Sequence, residues 1–179
     1  MSNVSKNNWL KILITVVIVC VIGGVWLLKN APGSETEQGK QVSSDNPDFA
    51  LHVTDVLDLD QLKSYGLPIV IDFGADSCIP CKQMAPVLEE LNEEYQGKVI
   101  IKFVDVWKYP KLAEGYPISL IPTQIFIGAD GKPFNPENPT DFQMNQFTGT
   151  ENSALAFTTH EGGLTRADFL KILEAMGVQ

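Results

Sequence analysis

One stretch constrains the fold more than any other: an apolar strand pattern runs directly into a cysteine pair and then into a long amphipathic helix. Pro68-Ile-Val-Ile-Asp-Phe73 is β-rich and apolar at successive positions, as expected of a strand covered on both faces. Gly74-Ala-Asp-Ser-Cys-Ile-Pro-Cys81 follows without a spacer. Beyond it Met84, Val87, Leu88, Leu91 and Tyr95 recur at helical spacing. Glu89, Glu90, Glu93 and Glu94 fall mostly on the other faces, and Gly97 marks the stop. The cysteines are therefore expected at the junction where a buried strand hands over to a helix N-terminus.

The flanking sequence supplies partners for that unit. Strands are expected at 49–53, 99–106, 123–127 and 154–159, with Ala129-Asp-Gly131 turning the third of these. A short helix is expected at 57–65, stopped by Gly66, a helical turn at 111–115, and a last helix at 164–176 with Thr165 near its start. Residues 132–152 carry Pro133, Pro136, Pro139 and several Asn and read as an inserted loop, either a recognition element or surface ornament. Strands alternate with helices early and lie close together late. That order implies an α/β fold with a mixed central sheet flanked by helices.

A different pattern occupies the N-terminus. Residues 12–28, Ile-Leu-Ile-Thr-Val-Val-Ile-Val-Cys-Val-Ile-Gly-Gly-Val-Trp-Leu-Leu, carry no charge. Helical residues rise about 1.5 Å each, so a run of this length approaches the roughly 30 Å hydrocarbon core. Trp9 and Trp26 sit near its two ends, where aromatic rings favour the interface. Lys6 and Lys11 precede it, which places residues 1–30 as a cytoplasmic N-terminus with one transmembrane helix and everything later outside. The competing reading is a cleaved signal peptide, with Ala31-Pro32-Gly33-Ser34 as a poor cleavage site. Cys20 is expected to be an apolar filler. Residues 31–48 are polar and rich in Gly, Pro and Ser, a flexible linker to a domain at 49–179.

Charge narrows the partners. All 22 Asp and Glu lie beyond the apolar run, and the chain carries −9 overall. No basic stripe opposes that field, so no nucleic-acid partner is expected.

With three cysteines, one of them in the apolar run, a disulfide-rich scaffold is excluded. A lone C-x-x-C serves either zinc or redox chemistry, and zinc needs about four ligands. There is no second pair, and His52 and His160 are each isolated in sequence, expected to be surface side chains. No metal and no cofactor are therefore expected. A helix N-terminus offers unpaired N–H groups and partial positive charge, which stabilise a thiolate. Cys78, nearer the terminus, is the expected exposed nucleophile, and Cys81, one turn later, the resolving thiol. Pro80 suits the first turn, where its missing N–H is not needed.

The run Val70-Ile-Asp-Phe-Gly-Ala-Asp-Ser-Cys-Ile-Pro-Cys-Lys-Gln-Met-Ala-Pro-Val-Leu-Glu89 resembles the strand, active site and helix of the thioredoxin family. The likeness extends over about 49–131 and 154–176, with residues 162–173 resembling the closing strand and helix. It implies a thioredoxin fold. It also implies that Asp72 is the buried acid that helps deprotonate Cys81, and that Pro86 kinks the helix. Ile121-Pro122-Thr123 would be the cis-proline segment facing the disulfide, with Ile121, Ile79 and Pro80 touching substrate. Three features depart from the family: Ser77 replaces the usual Trp, Ile-Pro replaces Gly-Pro, and Phe103 holds the place of a lysine, with Lys102 one residue off.

The resemblance implies an extracytoplasmic thiol–disulfide oxidoreductase that reduces disulfides in exported proteins and draws electrons from a membrane electron-transfer protein. Two alternatives stand beside it: a disulfide-forming oxidase or isomerase of the same fold, and a surface binding module with a structural disulfide.

Overall fold

The computed structural model describes residues 46–149 and 155–179. The expected membrane helix at 12–28, Cys20 and residues 31–45 of the linker lie outside the described residues. Among the described residues no helix is long and apolar enough to cross a membrane.

Six strands form one mixed sheet: β1 (His52–Val53), β2 (Ile69–Gly74), β3 (Ile100–Asp105), β4 (Thr123–Ile127), β5 (Met144–Thr148) and β6 (Leu155–Glu161). Their order is β1-β3-β2-β4-β6-β5. β2 and β3 run parallel, while β4 lies antiparallel to both β2 and β6. Among the described residues three helices complete the frame: α1 (Leu59–Lys63), α2 (Ile79–Glu94) and α3 (Arg166–Ala175).

β2, β3 and β4 are buried at every residue, so alternate side chains enter two different cores. Val70, Ile101 and Phe126 pack with Met84, Leu88 and Leu91 of α2 and Phe169, Ile172 and Leu173 of α3. Ile69, Ile71, Phe73, Ile100, Val104 and Ile125 pack on the opposite face with Phe49 and Leu62. Asp72, inside this apolar strand, projects on the α2 side.

Several expected elements change shape for local reasons. The strand expected at 49–53 divides, because the Asn46 side chain caps Asp48 N–H and Pro47 starts a 3-10 turn. The helix expected at 57–65 shortens to α1, capped by Asp58 accepting from Gln61 N–H at 2.9 Å. The residues read as a loop, 132–152, contain a 3-10 turn at Pro139–Phe142 and the edge strand β5. Phe134 and Met144 enter the core from this segment, and β5 covers the edge of β6. The segment is thus an edge-capping addition to the sheet. The closing strand ends at Glu161, and Gly162 turns the chain with φ +110°, a conformation open to glycine. Thr165 and Asp168 then form a capping box that starts α3.

Candidate functional site: a cysteine pair over a buried polar row

Cys78 is the N-cap of α2 and Pro80 lies in its first turn. The two cysteines form a disulfide with Cα atoms 5.3 Å apart. Cys78 Sγ accepts the Cys81 N–H at 3.3 Å, so one of the free donors at the helix terminus already points at this sulfur. Cys78, expected to be exposed, is only 8% exposed and Cys81 4%, because Ile121 packs over the pair; what sets Cys78 apart is its place at the terminus. On reduction the same N–H and the partial positive charge of the helix end favour a Cys78 thiolate.

A second loop closes over the pair. The Ile121–Pro122 peptide bond is cis. Ile121 packs against Cys78 and Cys81, and its carbonyl oxygen lies 4.0 Å from Cys78 Sγ. Thr123 Oγ1 donates to Leu120 O at 2.7 Å, and Gly162 N–H donates to Pro122 O at 2.8 Å, so both sides of the bend are tied down. Of the residues expected to touch substrate, Ile79 is 73% exposed beside Cys78, Pro80 is exposed and Ile121 is half-buried. Exposed Leu120 and Trp107 add to the apolar surface of the neighbouring loops.

Asp105 holds the loop before Cys78, a role its sequence position did not reveal. Its carboxylate accepts from Asp76 N–H, Trp107 N–H and Lys108 N–H, each at 3.0 Å. Burial opposes its charge, but these donors and the Lys108 ammonium outweigh that, and its carboxyl is held below the usual range. Lys108 also pairs with Asp76, joining the two loops on the surface.

Beneath the disulfide, one register row crosses the whole sheet. Phe103, Asp72, Gln124, His160 and Met144 are successive Cα partners on β3, β2, β4, β6 and β5. Asp72 is fully buried. Gln124 Nε2–H donates to Asp72 Oδ1 at 2.8 Å and to Gly162 O at 3.2 Å, while Gln124 Oε1 lies 3.0 Å from His160 Nδ1. Asp72 Oδ2 has no hydrogen-bond partner among the described residues. A Cβ built on Gly74 would lie 3.3 Å from this oxygen, 3.2 Å from Cys81 Sγ and 2.9 Å from the Phe103 ring. Glycine is therefore what lets acid, sulfur and ring converge at that point. Desolvation pushes the Asp72 carboxyl up to about 7, against the opposing pull of the Gln124 hydrogen bond.

Phe103 does stand opposite Asp72, where the family has a lysine. Lys102 faces the other core, and its ammonium donates to Pro47 O at 3.1 Å and Ala50 O at 2.6 Å. Burial lowers it to about 8 although Asp48 pulls the other way. His52 is exposed, whereas His160, expected on the surface, is 7% exposed. The reason is its register opposite Gln124, which turns its ring toward α3 and the loop before it. Gln124 went unremarked in the sequence, yet a lone amide in Thr-Gln-Ile-Phe-Ile is the same kind of signal as Asp72.

A dithiol–disulfide pair at a strand-to-helix junction, with a buried carboxyl below and a cis-proline loop above, defines a class of electron-transferring thiol proteins. The Thioredoxin family model matches residues 58–147. The thioredoxin of Staphylococcus aureus strain Mu50 is 46% identical over 81 residues, 45% of this chain and 75% of that protein, and that of strain MW2 gives the same figures. The solved structure of chloroplastic thioredoxin z is 23% identical, covering 72% of this chain and 94% of its own, with a TM-score of 0.47. The chain belongs to the thioredoxin family and is a thiol–disulfide oxidoreductase.

Proposed function

We propose that the protein is a membrane-anchored reductase that returns disulfides in exported proteins to dithiols outside the cytoplasmic membrane. Cys78 attacks the substrate disulfide, Cys81 resolves the mixed disulfide, and a membrane electron-transfer protein restores the dithiol. Asp72 serves Cys81 as proton acceptor, and the exposed apolar surface at Ile79, Leu120 and Trp107 receives an extended substrate segment.

The observation that carries the direction of transfer is the buried carboxyl beside Cys81. A carboxylate near these sulfurs disfavours a thiolate, and so disfavours the reduced pair. That makes the dithiol the better electron donor. The reduction potential is expected near thioredoxin's, about −270 mV; a value near −120 mV, that of a strong oxidant, would contradict the direction.

The location rests on the uncharged run at 12–28 and the lysines before it. Protease added to intact spheroplasts is expected to remove everything beyond about residue 31. Protection of the domain until the membrane is opened would reject this topology.

A further inference from the structure

Resting on the reading of Asp72 as the base for Cys81, we propose that Gln124 and His160 are positioning residues for mixed-disulfide resolution. His160 orients the Gln124 amide, and Gln124 fixes which Asp72 oxygen faces Cys81 and how readily that oxygen accepts the proton.

The hydrogen bonds dictate the polarity of the chain. Gln124 presents its NH2 to Asp72 Oδ1 and to Gly162 O, so its Oε1 accepts and His160 Nδ1 carries a proton. With Oδ1 occupied, Oδ2 is the oxygen left open on the Cys81 side. In the resolving step the Cys81 S–H proton moves to Asp72 Oδ2. The Cys81 sulfur pair then forms the bond to Cys78 Sγ, and the bond from Cys78 to the substrate sulfur breaks. The electron pair of that broken bond leaves with the substrate sulfur as a thiolate, which takes a proton from solvent; oxidation of the Cys78 and Cys81 thiols to the disulfide is the two-electron counterpart of the substrate's reduction.

The register row shows why this arrangement takes over here. On the β3 side of Asp72 stands Phe103, which offers no proton and no charge. The side chain hydrogen-bonded to the carboxyl is Gln124, from β4. Around His160 the charged groups are Glu161 on its own strand, Asp168 and Lys171 from α3, and Asp141 from the neighbouring 3-10 turn. Burial holds the ring below its usual range while Asp168 and Glu161 pull upward. The ring is therefore neutral where Asp72 titrates, and it acts through its Nδ1–H bond, which polarises the Gln124 amide. That strengthens the bond to Asp72 and favours the carboxylate.

The test is rapid-quench single turnover of the full-length reduced protein with a disulfide peptide, from pH 5 to 9, following formation and resolution separately. Wild-type resolution should rise through one midpoint set by Asp72. Gln124→Leu and His160→Phe should each move that midpoint upward, by about one pH unit for Gln124→Leu, slowing resolution about tenfold below the midpoint. His160→Phe, which keeps a ring of similar shape, decides the matter even if Gln124→Leu does not fold. In an Asp72→Asn background His160→Phe should add nothing. An unmoved midpoint in His160→Phe, or equal slowing of both steps, overturns the proposal. Absence of a mixed disulfide on Cys78 in Cys81→Ala would instead remove the Cys78 reading, and this proposal with it.

Discussion

Asp72→Asn is expected to stabilise the oxidised protein at pH 8 by up to about 4 kcal/mol, and to abolish a pH dependence that the wild type shows. The sign follows from the direction of the shift. Asp72 binds its proton more tightly folded, at about 7, than unfolded, at 3.8. Between these values the folded state holds a proton that the unfolded state has lost, so stability falls as pH rises through this window. Above the folded value the full penalty of a buried carboxylate is present, at about 1.4 kcal/mol per pH unit of difference. Asparagine removes the charge and keeps an oxygen for Gln124. The figure is an upper one because the new amide must also be desolvated. Urea unfolding of both proteins at pH 5 and pH 8 checks this: the wild type should lose stability between them and the variant should not. Parallel behaviour would mean that Asp72 is not a buried acid of raised affinity.

The same substitution should slow resolution of the mixed disulfide on the order of 10²-fold, the lower end of general-base effects, while its formation changes little. Asparagine cannot take the Cys81 proton, whereas Cys78 draws its stabilisation from the helix terminus. Stability and turnover thus move in opposite directions in one variant, as expected where a strained charge is held for chemistry.

Local rules made much of this fold legible. The strand, the cysteine turn and the helix were readable because period, cap and stop all agree over 68–97, and β4 falls at the expected 123–127. β5 was not, because Met144-Asn-Gln-Phe-Thr148 has only one buried side chain and draws its pairing from β6. An edge strand of that kind is specified by its neighbour more than by its own pattern. The polar row was hidden for a related reason. Asp72, Gln124 and His160 are far apart in the chain, and only the antiparallel register of β2, β4 and β6 puts them side by side. His160 looked like a surface residue because nothing nearby in sequence announces a partner on another strand. Asp105 was readable in principle, as an acid closing an apolar strand, but its three N–H donors come from loops whose approach is set in three dimensions.

The second large effect concerns the cysteines themselves. Cys78→Ala should reduce disulfide turnover to background, because it removes the sulfur that the helix terminus activates. Cys81→Ala should also end turnover, but by a different route: the first bond still forms and nothing resolves it. The two variants therefore separate nucleophile from resolving thiol. Ala at 81 leaves Cys78 in place as N-cap with its N–H donor from residue 81 intact.

The most direct measurement is mass mapping of the adduct that the full-length Cys81→Ala protein forms with a disulfide substrate. A stable mixed disulfide on Cys78, released by dithiothreitol and absent from Cys78→Ala, is the predicted result. A linkage found on Cys81 in the wild type, or no adduct on Cys78 at all, would contradict the account.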